Sequence, residues 1–161
     1  MYKVLIVDDE QLIRSGMIAR FQYLNFTFER IREAASGVEA LALLEKEPAD
    51  IVITDIKMPD MDGMTLIREA KEKYPGTQFV ILSGYAEFEY AETAIELGVK
   101  SYLLKPISND ELKRVMRKLF ETLEKERQME VEIFRKHQLE TEQKGWLQEK
   151  AVNHLLQDNA A

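Results

Sequence analysis

The 161-residue sequence contains no cysteine, which excludes disulfide bonds, thiolate metal sites and cysteine nucleophiles. It also lacks any apolar run long enough for a signal-peptide core or a membrane span. The first run stops at Asp8, and no later run is long enough. We therefore expect a protein that makes no membrane contact and works in the cytoplasm, where reducing conditions suit a chain without cysteine.

The sequence also has no excess of basic residues. The 22 Lys and Arg residues are outnumbered by 29 Asp and Glu residues, which gives a net charge of -7. Binding to nucleic acid requires a basic face that displaces counterions, so we do not expect this segment itself to bind DNA. Its hydrophobic content of 45% is ordinary for a globular domain with a buried core.

Short apolar runs alternate with amphipathic stretches as far as about Pro106. Apolar runs predict buried strands and the amphipathic stretches predict helices, so the pattern indicates an α/β fold with a parallel sheet between helices. The predicted strands are Val4–Val7, Ile31–Ala35, Ile51–Thr54, Phe79–Leu82 and Ser101–Leu104. The predicted helices are Glu10–Tyr23, the stretch opened by Ser36 and running through Leu44, Met64–Tyr74, Glu87–Leu97 and a long one from Ser108.

Local signals mark several helix ends. Ser36 with Glu39, and Ser108 with Glu111, have the spacing of capping boxes, and Gly98 is expected to close a helix in the left-handed conformation. The first helix is predicted to place one apolar face towards the core, formed by Leu12, Ile13, Met17 and Phe21.

Acidic, hydroxyl and basic side chains follow four of the predicted strands. The first strand is followed by Asp8 and Asp9, the third by Asp55, the fourth by Ser83 and the fifth by Lys105. Because ligands bind at the carboxyl ends of strands in open parallel sheets, we expect these side chains to converge at one edge of the sheet.

Three carboxylates at one edge repel each other, by roughly 4 kcal/mol per pair at ~4 Å and an effective dielectric near ~20. Mg²⁺ is the cation that suits such oxygen ligands, and Lys105 supplies a second positive charge. A metal, a nucleophilic carboxylate, a lysine and a hydroxyl together favour phosphoryl transfer. Taken singly, the Asp8 and Asp9 pair could be a helix N-cap and Ser83 a turn residue; their conjunction favours the site.

The segments VLIVDDE, TDIKMPDMDGMTLI, ILSGYAEFEYAETAIELGV and SYLLKPIS closely resemble the receiver domain of bacterial two-component response regulators. The resemblance covers roughly the first 120 residues, and we place the receiver domain at residues 1–122. It implies a flavodoxin-like (βα)5 fold, a doubly wound parallel sheet with the strand order 2-1-3-4-5.

The resemblance also implies a role for each acidic residue. Asp55 would be the phosphoacceptor, which takes its phosphoryl group from a sensor histidine kinase. Asp9, Asp55 and the main-chain carbonyl of Lys57 would bind Mg²⁺ directly, and Asp8 would act through a metal-bound water.

For the residues on the later strands, the resemblance implies contacts with the phosphoryl group. The Ser83 hydroxyl would bond a phosphoryl oxygen, and Lys105 would pair with the group through a loop that contains a cis Lys105–Pro106 bond. Gly84 would leave room beside the acyl phosphate, and Gly63 is expected to adopt a positive φ.

Tyr102 resembles the switch residue of the family. Its ring would swing inward when Ser83 moves towards the phosphoryl group, and this would change the face formed by helix four, strand five and helix five. The alternative is a half-buried strand aromatic without a switching role. We also expect the protein to form a homodimer through this face, through the C-terminal helix, or through both.

Residues 123–161 form a charged, proline-free extension, which predicts a long helix or, alternatively, a flexible linker. A coiled coil through the apolar stripe Met129–Leu139 is compatible with the sequence, and Gly145 is the expected break in the helix. The extension resembles the connection to an AraC-type DNA-binding output domain. That output domain is absent from this chain, so DNA would be contacted only through the longer protein.

Three other functions are alternatives to a receiver that controls an output domain. A stand-alone receiver would act through protein contacts only. A phosphatase of the haloacid-dehalogenase type needs a second aspartate two residues after the nucleophile, where this chain has Lys57. A flavodoxin-like cofactor binder needs a phosphate loop after the first strand, where Asp8 and Asp9 would repel phosphate. We therefore expect a signalling domain whose only reactions are its own phosphorylation and dephosphorylation.

Overall fold

The computed structural model describes residues 1–84 and 89–159. Strands and helices alternate along the chain, as the apolar runs predict. Their bounds are β1 Lys3–Val7, α1 Gln11–Tyr23, β2 Arg30–Ala34, α2 Gly37–Lys46, β3 Ile51–Asp55, α3 Gly63–Lys73, β4 Gln78–Ser83, α4 Glu89–Glu96, β5 Ser101–Leu104 and α5 Asn109–Asn159. The predicted start of the fourth helix, Glu87, lies outside the described residues.

The five strands form one parallel sheet in the order β2-β1-β3-β4-β5, which confirms the flavodoxin-like prediction. In its register, Val7 lies beside Thr54, Asp55 beside Leu82, and Ser83 beside Leu104. The strands that bear the candidate residues therefore end at the same edge of the sheet.

The core follows the apolar runs. All of Val4–Val7 and Ile51–Ile53 is fully buried, because the inner strands are covered on both faces by helices. In α1, Met17 and Phe21 are buried as predicted, but Leu12 is 85% exposed. The buried face repeats every four residues, so Leu12 lies about 100° around the helix from Ile13 and outside it.

The predicted caps are confirmed. Ser36 Oγ accepts a hydrogen bond from the Glu39 amide at 3.1 Å, and the Glu39 carboxylate accepts one from the Ala35 amide at 2.9 Å. Ser108 Oγ accepts a hydrogen bond from the Glu111 amide at 3.1 Å. Gly98 has a φ of 79°, the left-handed conformation that ends a helix.

The chain divides into two units, residues 1–119 and 120–161. The first contains the sheet and its helices. The second continues α5, and its side chains beyond residue 128 are exposed as far as residue 156. The expected break at Gly145 is wrong: one interior glycine costs only about 1 kcal/mol, and strong helix formers surround it.

In the two described ranges, no helix combines the length and the apolar character that crossing a bilayer requires. The proposed division of the chain between residues 122 and 123 stays a prediction.

Candidate functional site

Three carboxylates meet at the carboxyl edge of the sheet. Asp8 and Asp9 follow β1, and Asp55 ends the neighbouring strand β3. One oxygen from each lies within 4.8 Å of the other two, as the strand-end argument predicts. Asp8 and Asp55 are buried, whereas Asp9 is exposed.

Asp8 is the most enclosed of the three. Its Oδ1 accepts a hydrogen bond from the Glu10 amide at 2.9 Å, and its Oδ2 accepts none from the described residues. Burial raises the pKa of Asp8, because the charged form has lost solvent. Neither aspartate of the pair is the N-cap residue of α1, which is Glu10, so the helix-cap alternative does not apply.

Lys105 brings a positive charge to this cluster. Its Nζ lies 3.3 Å from Asp55 Oδ2 and 3.5 Å from Asp8 Oδ2. Burial alone lowers the pKa of Lys105, but the carboxylates of Asp55 and Asp8 outweigh it and leave the pKa raised. The Lys105 amide donates to the Ser83 carbonyl at 2.8 Å, and the Lys105–Pro106 bond is cis, as the resemblance implies.

The donor set suits a hard divalent cation. Three carboxylates face one ammonium group, which leaves an excess of negative charge, and Asp8 Oδ2 is a buried oxygen without a hydrogen bond among the described residues. Mg²⁺ takes oxygen ligands of this kind. The Lys57 side chain, two residues beyond Asp55, is exposed, and the role of its main-chain carbonyl as a ligand stays a prediction.

Asp55 is held by the loop that follows it. Its Oδ1 accepts a hydrogen bond from the Ile56 amide at 2.8 Å, and the Gly63 amide donates to the Ile56 carbonyl at 2.7 Å. The expectation of a positive φ at Gly63 is wrong, because Gly98 is the glycine with positive φ in the described ranges. Gly63 is needed for another reason: a Cβ there would collide with the main-chain oxygen of Asp55.

Ser83 and Tyr102 are joined side chain to side chain. Their hydroxyl groups form a hydrogen bond between the neighbouring strands β4 and β5. Ser83 is fully buried and Tyr102 is half-buried. A Cβ added at Gly84 would meet no atom of the described residues within 4 Å.

Arg14 was missed by the sequence argument. Its Nη1 donates to the main-chain oxygen of Asp8 at 2.6 Å, and its Nε lies 3.2 Å from Glu33 Oε1. An arginine on an amphipathic helix ordinarily indicates a solvated face, and no local pattern distinguishes this one. Only the pairing of β1 with β2 brings Glu33 beside it.

Comparison with known proteins agrees with this geometry. The family model of the response regulator receiver domain matches residues 4–117. Among named relatives, the uncharacterized transcriptional regulatory protein YesN of Bacillus subtilis is 43% identical over 112 residues, which are 70% of this chain and 30% of YesN. The transcriptional regulatory protein HptR of Staphylococcus aureus is 37% identical over 123 residues, 76% of this chain and 48% of HptR. The chain thus spans less than half the length of either.

Two solved structures share the fold. The REC domain of AraT, a response regulator from Geobacillus stearothermophilus, superposes with a TM-score of 0.73 at 43% identity and covers 78% of this chain and 98% of that one. A two-component transcriptional regulator AraC from Clostridium phytofermentans gives a TM-score of 0.72 at 33% identity, with 78% and 97% covered.

Receiver domains are signalling domains rather than a catalytic family, they work with sensor kinases, and they bind Mg²⁺ at an acidic pocket. The phosphatase and flavodoxin-like alternatives are therefore wrong. The family match spans more than half of the chain, and with the parallel sheet and its acidic edge it identifies this protein as a member of the response regulator receiver domain family.

Proposed function

We propose that Asp55 accepts a phosphoryl group from a sensor histidine kinase in the cytoplasm. The observation that carries this proposal is the position of Lys105 Nζ, 3.3 Å from Asp55 Oδ2 and 3.5 Å from Asp8 Oδ2. Asp55 is the carboxylate at the centre of the edge, on the middle strand of the sheet. It combines a fixed side chain with a neighbouring positive charge, as a nucleophile for phosphoryl transfer requires.

In the transfer, a carboxylate oxygen of Asp55 attacks phosphorus. The bond from phosphorus to the donor breaks, and the leaving group takes its electron pair. Asp55 reacts as the carboxylate, so the step needs no proton acceptor at that residue. Attack by water on the acyl phosphate later releases inorganic phosphate and restores the carboxylate.

Asp9, Asp55 and the main-chain carbonyl of Lys57 would hold Mg²⁺, and Asp8 would contact it through a water. An ion held by these residues would neutralise charge on the phosphoryl oxygens. The clustering of the three carboxylates and the buried Asp8 Oδ2 without a hydrogen bond among the described residues support this ligand set.

Lys105 and Ser83 would contact the transferred group. The ammonium of Lys105 would exchange part of its pairing with Asp55 for a phosphoryl oxygen. The Ser83 hydroxyl can donate only one hydrogen bond. If Ser83 donates to the phosphoryl group, Tyr102 must be the donor in their shared hydrogen bond, so phosphorylation fixes the direction of that bond. This gives Tyr102 a physical link to the site and supports its switching role.

The face formed by α4, β5 and α5 would then change and control a transcriptional output domain outside this chain, which would contact DNA. Homodimers would form through this face, through the part of α5 beyond residue 122, or through both. The names of YesN and HptR, and the share of their length that the chain spans, support this proposal over a stand-alone receiver.

The test is phosphorylation by acetyl phosphate and Mg²⁺. We expect the wild-type chain to gain one phosphoryl group, Asp55→Asn to gain none, and removal of Mg²⁺ by a chelator to abolish the gain. Asp110→Asn, at an exposed aspartate of α5, is the matched control and should behave as wild type. Labelling that persists in Asp55→Asn would refute the assignment.

A further inference from the structure

Arg14 connects three elements beside the acidic edge. It belongs to α1, its Nη1 donates to the main-chain oxygen of Asp8 at 2.6 Å, and its Nε lies 3.2 Å from Glu33 on β2. Only 13% of its side chain is exposed, against 40% for Glu33. The guanidinium group is therefore held in one orientation from two sides.

The Asp9 carboxylate, in contrast, has no such support. It is exposed, and within the described ranges no hydrogen bond or ion pair is made to it. One of its oxygens nevertheless lies within 4.8 Å of an oxygen of Asp8 and of an oxygen of Asp55. Contacts of the Asp9 side chain do not explain this position.

The main chain offers the explanation. The oxygen that Arg14 binds belongs to the peptide group that joins Asp8 to Asp9. A peptide group is planar, so a contact that fixes its oxygen also fixes the direction in which the chain enters Asp9. Rotation of this peptide would turn the Asp9 side chain away from the cluster.

We propose that Arg14 is a positioning residue for the Mg²⁺ site: through the Asp8–Asp9 peptide it holds the Asp9 carboxylate where it can bind the ion. Glu33 supports Arg14 in this task by fixing its guanidinium group. This inference rests on the proposed function, because it takes Asp9 as a ligand of the ion.

Calorimetric titration of the full chain with Mg²⁺ tests the proposal without relying on phosphorylation. Arg14→Gln removes the positive charge and the paired donors. We expect its Mg²⁺ affinity to fall by about 10-fold, the lower end of the effect seen when partners that orient metal ligands are lost. Glu33→Gln, which keeps the bond to the Asp8 oxygen, should lower the affinity less.

Arg30→Gln is the matched control, because Arg30 also pairs with a glutamate, Glu47, at 2.6 Å but lies away from the carboxylates, at the start of β2. We expect its Mg²⁺ affinity to equal that of the wild type. A role of Arg14 in stability alone would lower the unfolding midpoint of Arg14→Gln and leave its Mg²⁺ affinity unchanged; that result overturns the proposal.

If Arg14→Gln does not fold, Arg14→Lys takes its place. A lysine keeps the charge but cannot reproduce the fork that reaches both partners, so its affinity for Mg²⁺ should also fall. An Arg14→Lys affinity equal to that of the wild type would overturn the inference. A wild-type chain that binds no Mg²⁺ would refute the proposed function itself, so the two failures are distinguishable.

Discussion

At the scale of single residues, Asp8 determines how much the site lowers the free energy of unfolding when no cation is bound. It is buried, and its raised pKa means that the folded state disfavours the ionised form. We expect Asp8→Asn to increase the free energy of unfolding at neutral pH in chelator, on the order of 1 kcal/mol, the size of an ordinary single-residue effect.

The gain should depend on pH with a defined sign. Below the ordinary aspartate pKa, Asp8 is protonated in both states and the variant has no advantage. The advantage appears as the pH rises through the raised pKa of the folded state and is complete above it. Urea denaturation at acidic and neutral pH measures this, with Asp110→Asn, at an exposed aspartate of α5, as the control. A variant less stable than wild type at neutral pH would contradict the account of Asp8.

Gly63 illustrates a second residue-scale requirement, the close approach of two main-chain segments. Gly63→Ala would place a Cβ against the main-chain oxygen of Asp55, and such overpacking costs about 1–3 kcal/mol. We expect lower stability in chemical denaturation and slower phosphorylation by acetyl phosphate. Gly16→Ala is the control: a Cβ there meets nothing within 4 Å, so this helical position should gain about 0.5–1 kcal/mol. Equal stabilities for the two variants would rule out the collision.

The strand-end residues could be predicted from the sequence alone. A parallel sheet brings the carboxyl ends of its strands to one edge, so Asp8, Asp55 and Lys105 come close together whatever the conformation of the loops. It could not predict Arg14, whose partners Asp8 and Glu33 become neighbours only when β1 pairs with β2. The structural requirement at Gly63 was likewise missed, since a clash with main-chain oxygen leaves no pattern in the sequence.

At the scale of elements, the buried strands were the easiest to predict. β1, β3 and β4 each contain a continuous apolar run. The edge strand β2 contains Arg30, Arg32 and Glu33, so its apolar pattern is weaker. The capping boxes placed two helix starts correctly because they are local. The missing break at Gly145 shows the reverse case, in which a local penalty is too small to end a long helix.

The pairing of β4 with β5 through Ser83 and Tyr102 leads to an element-scale prediction. Tyr102→Phe removes the hydroxyl that must donate to Ser83 when Ser83 donates to a phosphoryl oxygen. Because this bond also exists without the phosphoryl group, only the part gained when its direction is fixed changes the affinity. If that part is about 0.5 kcal/mol, the lower end of a hydrogen bond's contribution, the affinity for beryllium fluoride, a phosphoryl mimic, should fall by about 2-fold.

Titration with beryllium fluoride in the presence of Mg²⁺, followed by the thermal unfolding midpoint, measures the change. Tyr23→Phe, which alters an exposed tyrosine of α1, is the control and should match the wild type. Unchanged affinity in Tyr102→Phe would show that its hydroxyl has no part in holding the phosphoryl group.

At the scale of the whole molecule, the account predicts that the state of the site changes the state of assembly. Sedimentation analysis with and without beryllium fluoride and Mg²⁺ should show a mass increase from monomer to dimer when both are added. An unchanged mass on addition would contradict switching by dimerisation. The exposed apolar side chains of the long helix, Met129, Ile133, Phe134 and Leu139 among them, are the surface proposed to take part.

The central claim is that one carboxylate, Asp55, accepts the phosphoryl group. Treatment of the phosphorylated chain with borohydride reduces an aspartyl phosphate to homoserine, and peptide mapping by mass spectrometry then locates the modified position. The account predicts homoserine at position 55 only, and only after incubation with both acetyl phosphate and Mg²⁺. Homoserine at position 8 or 9, or at none of the three aspartates, would contradict it.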